Sequence, residues 1–177
     1  MLPRARMNRS QGTDGAAFWG FSLELYGAPD VAPACLKLQD AWGADVNVVL
    51  LLLWVALDGR ILGKDELTAI DQSVRNWRDD VIRPIRNVRR ALKDRRWPAE
   101  REQEELRSRI KDVELESERV AQKLLLQALH QCPPPPSAEA PRRAARRNLA
   151  EYAAFLGRTF PPEAERAILA AFDQLSA

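Results

Sequence analysis

The sequence predicts an all-α protein, a bundle of about six or seven helices that includes a long antiparallel helical hairpin. Three observations carry this. Apolar residues recur at spacings of three and four along most of the 177 residues, the period of a helix with one buried face. No run of β-branched residues alternates strictly between turn residues, so no strand is expected. Capping residues bracket the periodic stretches: Thr13 or Asp14 and Asp45 at starts, Gly27, Gly43 and Gly157 at ends.

The first helix is expected over residues 16–26, with Phe18, Phe21, Leu25 and Trp19, Ser22, Tyr26 as adjacent stripes. The second, over 31–42, opens after Pro29-Asp30 and turns Cys35, Leu38 and Trp42 inward. Pro33 falls in its first turn, where a missing N–H costs nothing. The third, capped by Asp45, is apolar from Val46 to Leu57 except at Asn47. A bilayer span needs about 20 apolar residues, so this run is too short to cross a membrane. A helix apolar on every side belongs at the centre of a core.

The fourth starts at Gly63-Lys64-Asp65-Glu66. Leu67, Ile70, Val74, Trp77, Val81, Ile85, Val88 and Leu92 keep helical phase straight through Pro84. An internal proline costs roughly 3 kcal/mol in an isolated helix, which predicts a kink or two abutting helices near Asp80 to Pro84. Residues 99–131 contain neither glycine nor proline. There Leu106, Ile110, Val113, Val120 and Leu124 fit a seven-residue repeat, with Ser117 in the remaining slot. This coiled-coil-like seam is expected to pair with the preceding helix. Four prolines at 133–136 read as an extended linker, followed by helices over 142–156 and 162–175. The expected division is therefore a disordered leader (1–13), a helical bundle (14–131) including a charged hairpin (64–131), a linker (132–141) and a C-terminal helical pair (142–177). That pair either folds back on the bundle or hangs as a tail, since two short helices bury little alone.

Composition narrows function by exclusion. Two cysteines and one histidine leave no disulfide scaffold or zinc finger. Arg4, Arg6 and Arg9 are followed by no apolar stretch of the secretory type, so cytoplasmic residence is the expectation, with no transmembrane segment. The formal charge of +2, from 27 basic and 25 acidic residues, neither announces nor excludes a nucleic-acid partner.

One series of residues carries a resemblance. It runs Phe18-Trp19-x-x-Ser22-Leu23-x-Leu25-Tyr26, Cys35-Leu36-x-Leu38-Gln39-Asp40 and Gly43-x-Asp45-Val46-Asn47. It continues through Leu53-Trp54, Gly59-Arg60, Trp77-Arg78 and Pro84-x-Arg86. In order and spacing, residues 18–93 resemble the bacterial domain of unknown function 2390 family. The resemblance implies a domain; it brings no reaction, substrate or cofactor with it.

Two constellations are candidates for chemistry. Gln39, Asp40, Asp45 and Asn47 surround the apolar helix as a cluster of carboxylates and amides suited to hold a phosphate or, through its oxygen ligands, a magnesium ion. The plainer explanation is that Asp45 and Asn47 cap a helix start and Gln39-Asp40 ends one. No metal ligand set and no cofactor is assigned. The second is basic: Arg75, Arg78, Arg86, Arg89, Arg90 and Lys93, a face suited to phosphate or carboxylate. Against it stands the acidic segment at 100–118, which an antiparallel hairpin lays alongside. Arg142, Arg143, Arg146 and Arg147 form a smaller patch, and Cys35 reads as inert packing. The leading functional expectation is a non-enzymatic interaction or adaptor module with a protein partner, self-association through 64–131 being one possibility. Phosphate-directed nucleic-acid binding is the alternative, and an enzyme using Asp40, Asp45 and Asn47 the second alternative.

Overall fold

A computed structural model describes residues 11–94, 99–133 and 138–176. Most of the expected leader, Trp97 and most of the proline run lie outside the described residues. The elements are α1 (Gln11–Gly27), α2 (Val31–Trp42), α3 (Val46–Ala56), α4 (Lys64–Trp77), a π-helical turn (Arg78–Ile82), α5 (Arg83–Asp94), α6 (Glu100–Gln131), α7 (Pro141–Phe155) and α8 (Pro162–Ser176). The α4 helix, the π turn and α5 run on without a break, so the described residues form seven helical rods and no strand. None of these helices is long and apolar enough to cross a membrane.

Helix α3 is the axis of the core. Every residue from Asn47 to Ala56 is buried, and α1, α2, α6 and α7 pack around it. Its start is fixed by Asp45, whose carboxylate accepts the Asn47 N–H at 2.9 Å, satisfying a donor the helix cannot. The C-terminal pair folds back: α7 lies on α3 and α8 on α2, and Tyr152, Phe160 and Phe172 join the same core cluster. Two side chains of α7 pin it there. Asn148, fully buried, donates to the carbonyls of Leu52 and Arg60 at 3.0 and 2.9 Å and accepts the Leu62 N–H at 2.9 Å. The Tyr152 hydroxyl accepts the Asp45 N–H at 3.0 Å.

Three expectations are corrected. Helix α1 begins at Gln11, so Thr13 and Asp14 stand inside it instead of capping it. The accommodation of Pro84 is a π turn just upstream, in which Arg83 N–H bonds Arg78 O; the wider turn keeps the rod continuous past a residue with no N–H. The seam of α6 has the wrong phase. Leu106 and Val113 are half-exposed, while Glu114, Ser117, Ala121, Gln122, Leu125, Leu126 and Leu129 face inward. The hairpin is antiparallel as expected, but over its middle it closes through ion pairs, which hydrophobic periodicity does not register.

Candidate functional site

The two sequence-derived constellations meet at one place. The α5 stretch lies between α2 and α6, so its arginines reach carboxylates on both. Arg86 is the centre. Its guanidinium donates to Gln39 Oε1 at 2.5 Å, Glu114 Oε1 at 3.2 Å and Glu118 Oε1 at 2.7 Å. Glu118 also accepts from Asn47 Nδ2. Gln122 continues the chain, donating to Ser22 Oγ at 2.9 Å and Asn47 Oδ1 at 3.3 Å. One polar network therefore joins α1, α2, α3, α5 and α6.

Two turns up the rod, Arg78 bridges Asp45 at 3.1 Å and Asp71 at 2.9 Å, and Arg75 reaches Asp71 at 2.7 Å. Arg89 pairs with Glu114, and Arg90 with Asp40 at 3.2 Å. Of the expected basic face, Lys93 alone is exposed and makes no ion pair with a described residue. Three of the four arginines of the second patch are likewise engaged: Arg142 with Asp173, Arg143 with Glu139 at 3.2 Å and Arg147 with Glu151 at 3.9 Å.

Electrostatics follow this pairing. Burial pushes the Glu118 carboxyl up, and Arg86 and Asn47 do not fully offset it. Burial acts on Glu114 and Asp71 too, but the arginines outweigh it and hold both below the usual carboxylate range. Burial works against the charge on Arg78, yet Asp45 and Asp71 hold it firmly protonated. Cys35 is 1% exposed, and burial pushes its thiol up to about 12.

Two cavities flank the Arg86–Glu118 pair. One, of about 260 Å³, is polar and lies over the start of α3, with Asp40, Asp45, Arg78, Arg83 and Asn87 on its walls. The other, of about 320 Å³, is mainly apolar, lined by Trp19, Leu23, Tyr26, Leu36, Leu50 and Leu115, with Arg90 and Lys111 at its margin. Gln122 lines this second cavity; it is 3% exposed and its Oε1 has no hydrogen-bond partner. Among the described residues no group of three or more His, Cys, Asp or Glu is placed to hold a metal ion.

Sequence reasoning singled out Gln39, Asp40, Asp45, Asn47 and the arginines, and the structure brings them together. The acidic segment expected alongside the arginines supplies Glu114 and Glu118, whereas Asp71 and Gln122 were missed. The findable signal was the spacing of three and four shared by Arg86, Arg89, Arg90 on one helix and Glu114, Glu118 on the other.

The fold and site define an all-α bundle in which the charged cluster centred on Arg86 and Arg78 is turned inward, between helices. The family described as Protein of unknown function (DUF2390) matches residues 17–125, and the chain belongs to this family. No curated protein and no solved structure matches it.

Proposed function

We propose that this chain is a non-enzymatic interaction module that takes an amphipathic segment of a protein partner in the apolar groove between α1, α2, α5 and α6. The observation that carries the reading is the convergence of Leu23, Leu36 and Leu115, 50%, 41% and 50% exposed, on one groove. Its 320 Å³ lies at the low end of ligand cavities, about 300–1,000 Å³, and suits a few anchoring side chains. The free Gln122 Oε1 offers an acceptor to a donor on the incoming segment, and Lys111 favours an acidic residue beside its anchors. Asp45 and Asp71 are held by Arg78, and Asp40 by Arg90, which leaves an enzymatic reading little to work with. The phosphate-directed reading has less support than the groove, because Arg78, Arg86 and Arg89 already have carboxylate partners.

The test is a display selection of helical peptides against the full chain. Selected peptides are expected to bind at least tenfold more weakly to Leu36→Asp/Leu115→Asp, with far-UV circular dichroism unchanged. Peptides that ignore both substitutions overturn the groove assignment. Short RNA bound in a strongly salt-dependent way, and released by Arg86→Glu/Arg89→Glu/Arg90→Glu, transfers the function to the alternative.

A further inference from the structure

On the opposite flank of the hairpin, two apolar stripes lie side by side without a cover. Helix α5 is strongly amphipathic, yet none of its residues is buried. Val81, Ile85 and Leu92 are only partly covered and Val88 is 50% exposed. On α6 the seven-residue repeat displaced from the interior does the same: Leu106 is 46% and Val113 50% exposed, with Ile110, Val120 and Leu124 partly covered. The stripes adjoin, because Trp77, in the α4–α5 stripe, donates its indole N–H at 2.9 Å to the carbonyl of Ser117, the one buried position of the α6 repeat. Leu115 and Lys111 lie across α6 from this face and line the groove, so the two surfaces are separate.

The charges beside the open stripe indicate what covers it. Glu102, Arg109, Glu116 and Lys123 recur every seven residues along the edge of α6 that faces away from α5. All four are exposed and make no ion pair with a described residue. Reversed about the Asp112–Val113 peptide, this series is its own complement: Glu102 falls opposite Lys123 and Arg109 opposite Glu116. The apolar residues follow half a residue away, with Leu106 beside Val120 and Val113 beside its own copy. A parallel alignment would instead bring the edge toward Arg107, Glu114 and Ala121, the side that α5 covers.

The geometry points to a second copy of this chain as the occupant. Two hairpins pack α6 against α6, antiparallel about a two-fold axis beside Val113. The α5 stripes close the sides into an inter-chain four-helix bundle. The interface is isologous, so each of the two kinds of edge ion pair occurs twice. It accounts for an amphipathic helix with no buried residue and for a heptad seam that the hairpin itself covers only in part.

Sedimentation velocity of the full chain over a concentration series tests this. The wild type is expected to form a dimer. Val113→Glu, which sets two carboxylates close together at the axis, is expected to yield a monomer with unchanged circular dichroism, because the residue is half-exposed within one chain, and a melting temperature that no longer rises with protein concentration. Arg109→Glu and Glu116→Arg are each expected to weaken the dimer by roughly tenfold. The double variant Arg109→Glu/Glu116→Arg restores it, since the swapped charges again face their opposites. A wild type that stays monomeric at every concentration overturns the proposal. So does a dimer indifferent to Val113→Glu, or a double variant no better than the singles. Leu36→Asp/Leu115→Asp leaves the dimer intact, which keeps failure of the groove and failure of the dimer distinguishable.

Discussion

Replacing Arg86 by methionine removes the cation at the centre of the inter-helix network while keeping most of its aliphatic volume. Glu114 retains Arg89; Glu118 is left with Asn47 alone. Breaking a fully buried ion pair on one side costs about 3–5 kcal/mol. Arg86 and Glu118 each keep 18% exposure, so some water reaches the orphaned carboxylate, and about 2–3 kcal/mol near pH 7.5 is expected. Protonation sets a ceiling on that cost. Neutralising a carboxyl of ordinary pKa 4.5 costs about 4 kcal/mol at about pH 7.5 and about 1.4 kcal/mol at about pH 5.5.

The direction with pH follows. The folded pKa of Glu118 is raised by burial, so its contribution to stability is complete below the unfolded value of 4.5 and is lost as pH rises through the folded value. Without Arg86 the folded value rises further and the loss extends over a wider range. Thermal and urea denaturation of Arg86→Met should therefore show a melting temperature lower by about 5–10 °C near pH 7.5, and a deficit about half as large near pH 5.5. A deficit that does not change over this interval, or one under about 0.5 kcal/mol throughout, refutes the reasoning that Arg86 compensates a buried Glu118.

Asn148→Ala leaves the Leu62 N–H and the Leu52 and Arg60 carbonyls without their partner, at a cost of about 3–5 kcal/mol in urea denaturation; a loss under about 1 kcal/mol contradicts its role as the pin of α7. At Gly59, φ is +71° and an added Cβ would fall 2.0 Å from Glu139 O, so Gly59→Ala is expected to cost about 2–3 kcal/mol, and an unchanged melting temperature would exclude that contact. With its thiol pushed up to about 12, Cys35 should react with a disulfide reagent near pH 8 only as the chain opens, while Cys132 reacts in the native state; prompt native reaction of both thiols refutes it.

How much of this could be read in advance depends on what holds each element. Helix α3 was legible because ten apolar residues with an aspartate in front allow few arrangements. The limits of α2 and α8 came from Pro29-Asp30, Gly43 and Pro162, which act locally. Helix α6 was not legible in phase. Its apolar repeat is the strongest pattern in 99–131, yet Arg86 and Arg89 have no partners unless Glu114 and Glu118 turn toward them, and that turns Leu106 and Val113 outward. Periodicity counts apolar residues and is blind to the price of an unpaired guanidinium. The same blindness hid the site: Asp45 and Asn47 were visible as cap residues, but their junction with Arg78 and Glu118 exists only after helices distant in sequence have packed.

The bond from Asn148 to the Leu52 carbonyl spans 96 residues. At about 5–20 residues per second of synthesis, the most apolar helix of the chain is made several seconds or more before the helix that covers it. During that interval the nascent chain presents an uncovered face of α3, a natural substrate for a chaperone. A premature stop in the proline run would make that exposure permanent. The last two helices, which lie beyond the residues 17–125 that match the family, thus cover the most apolar helix of the matched segment only after that segment has been made.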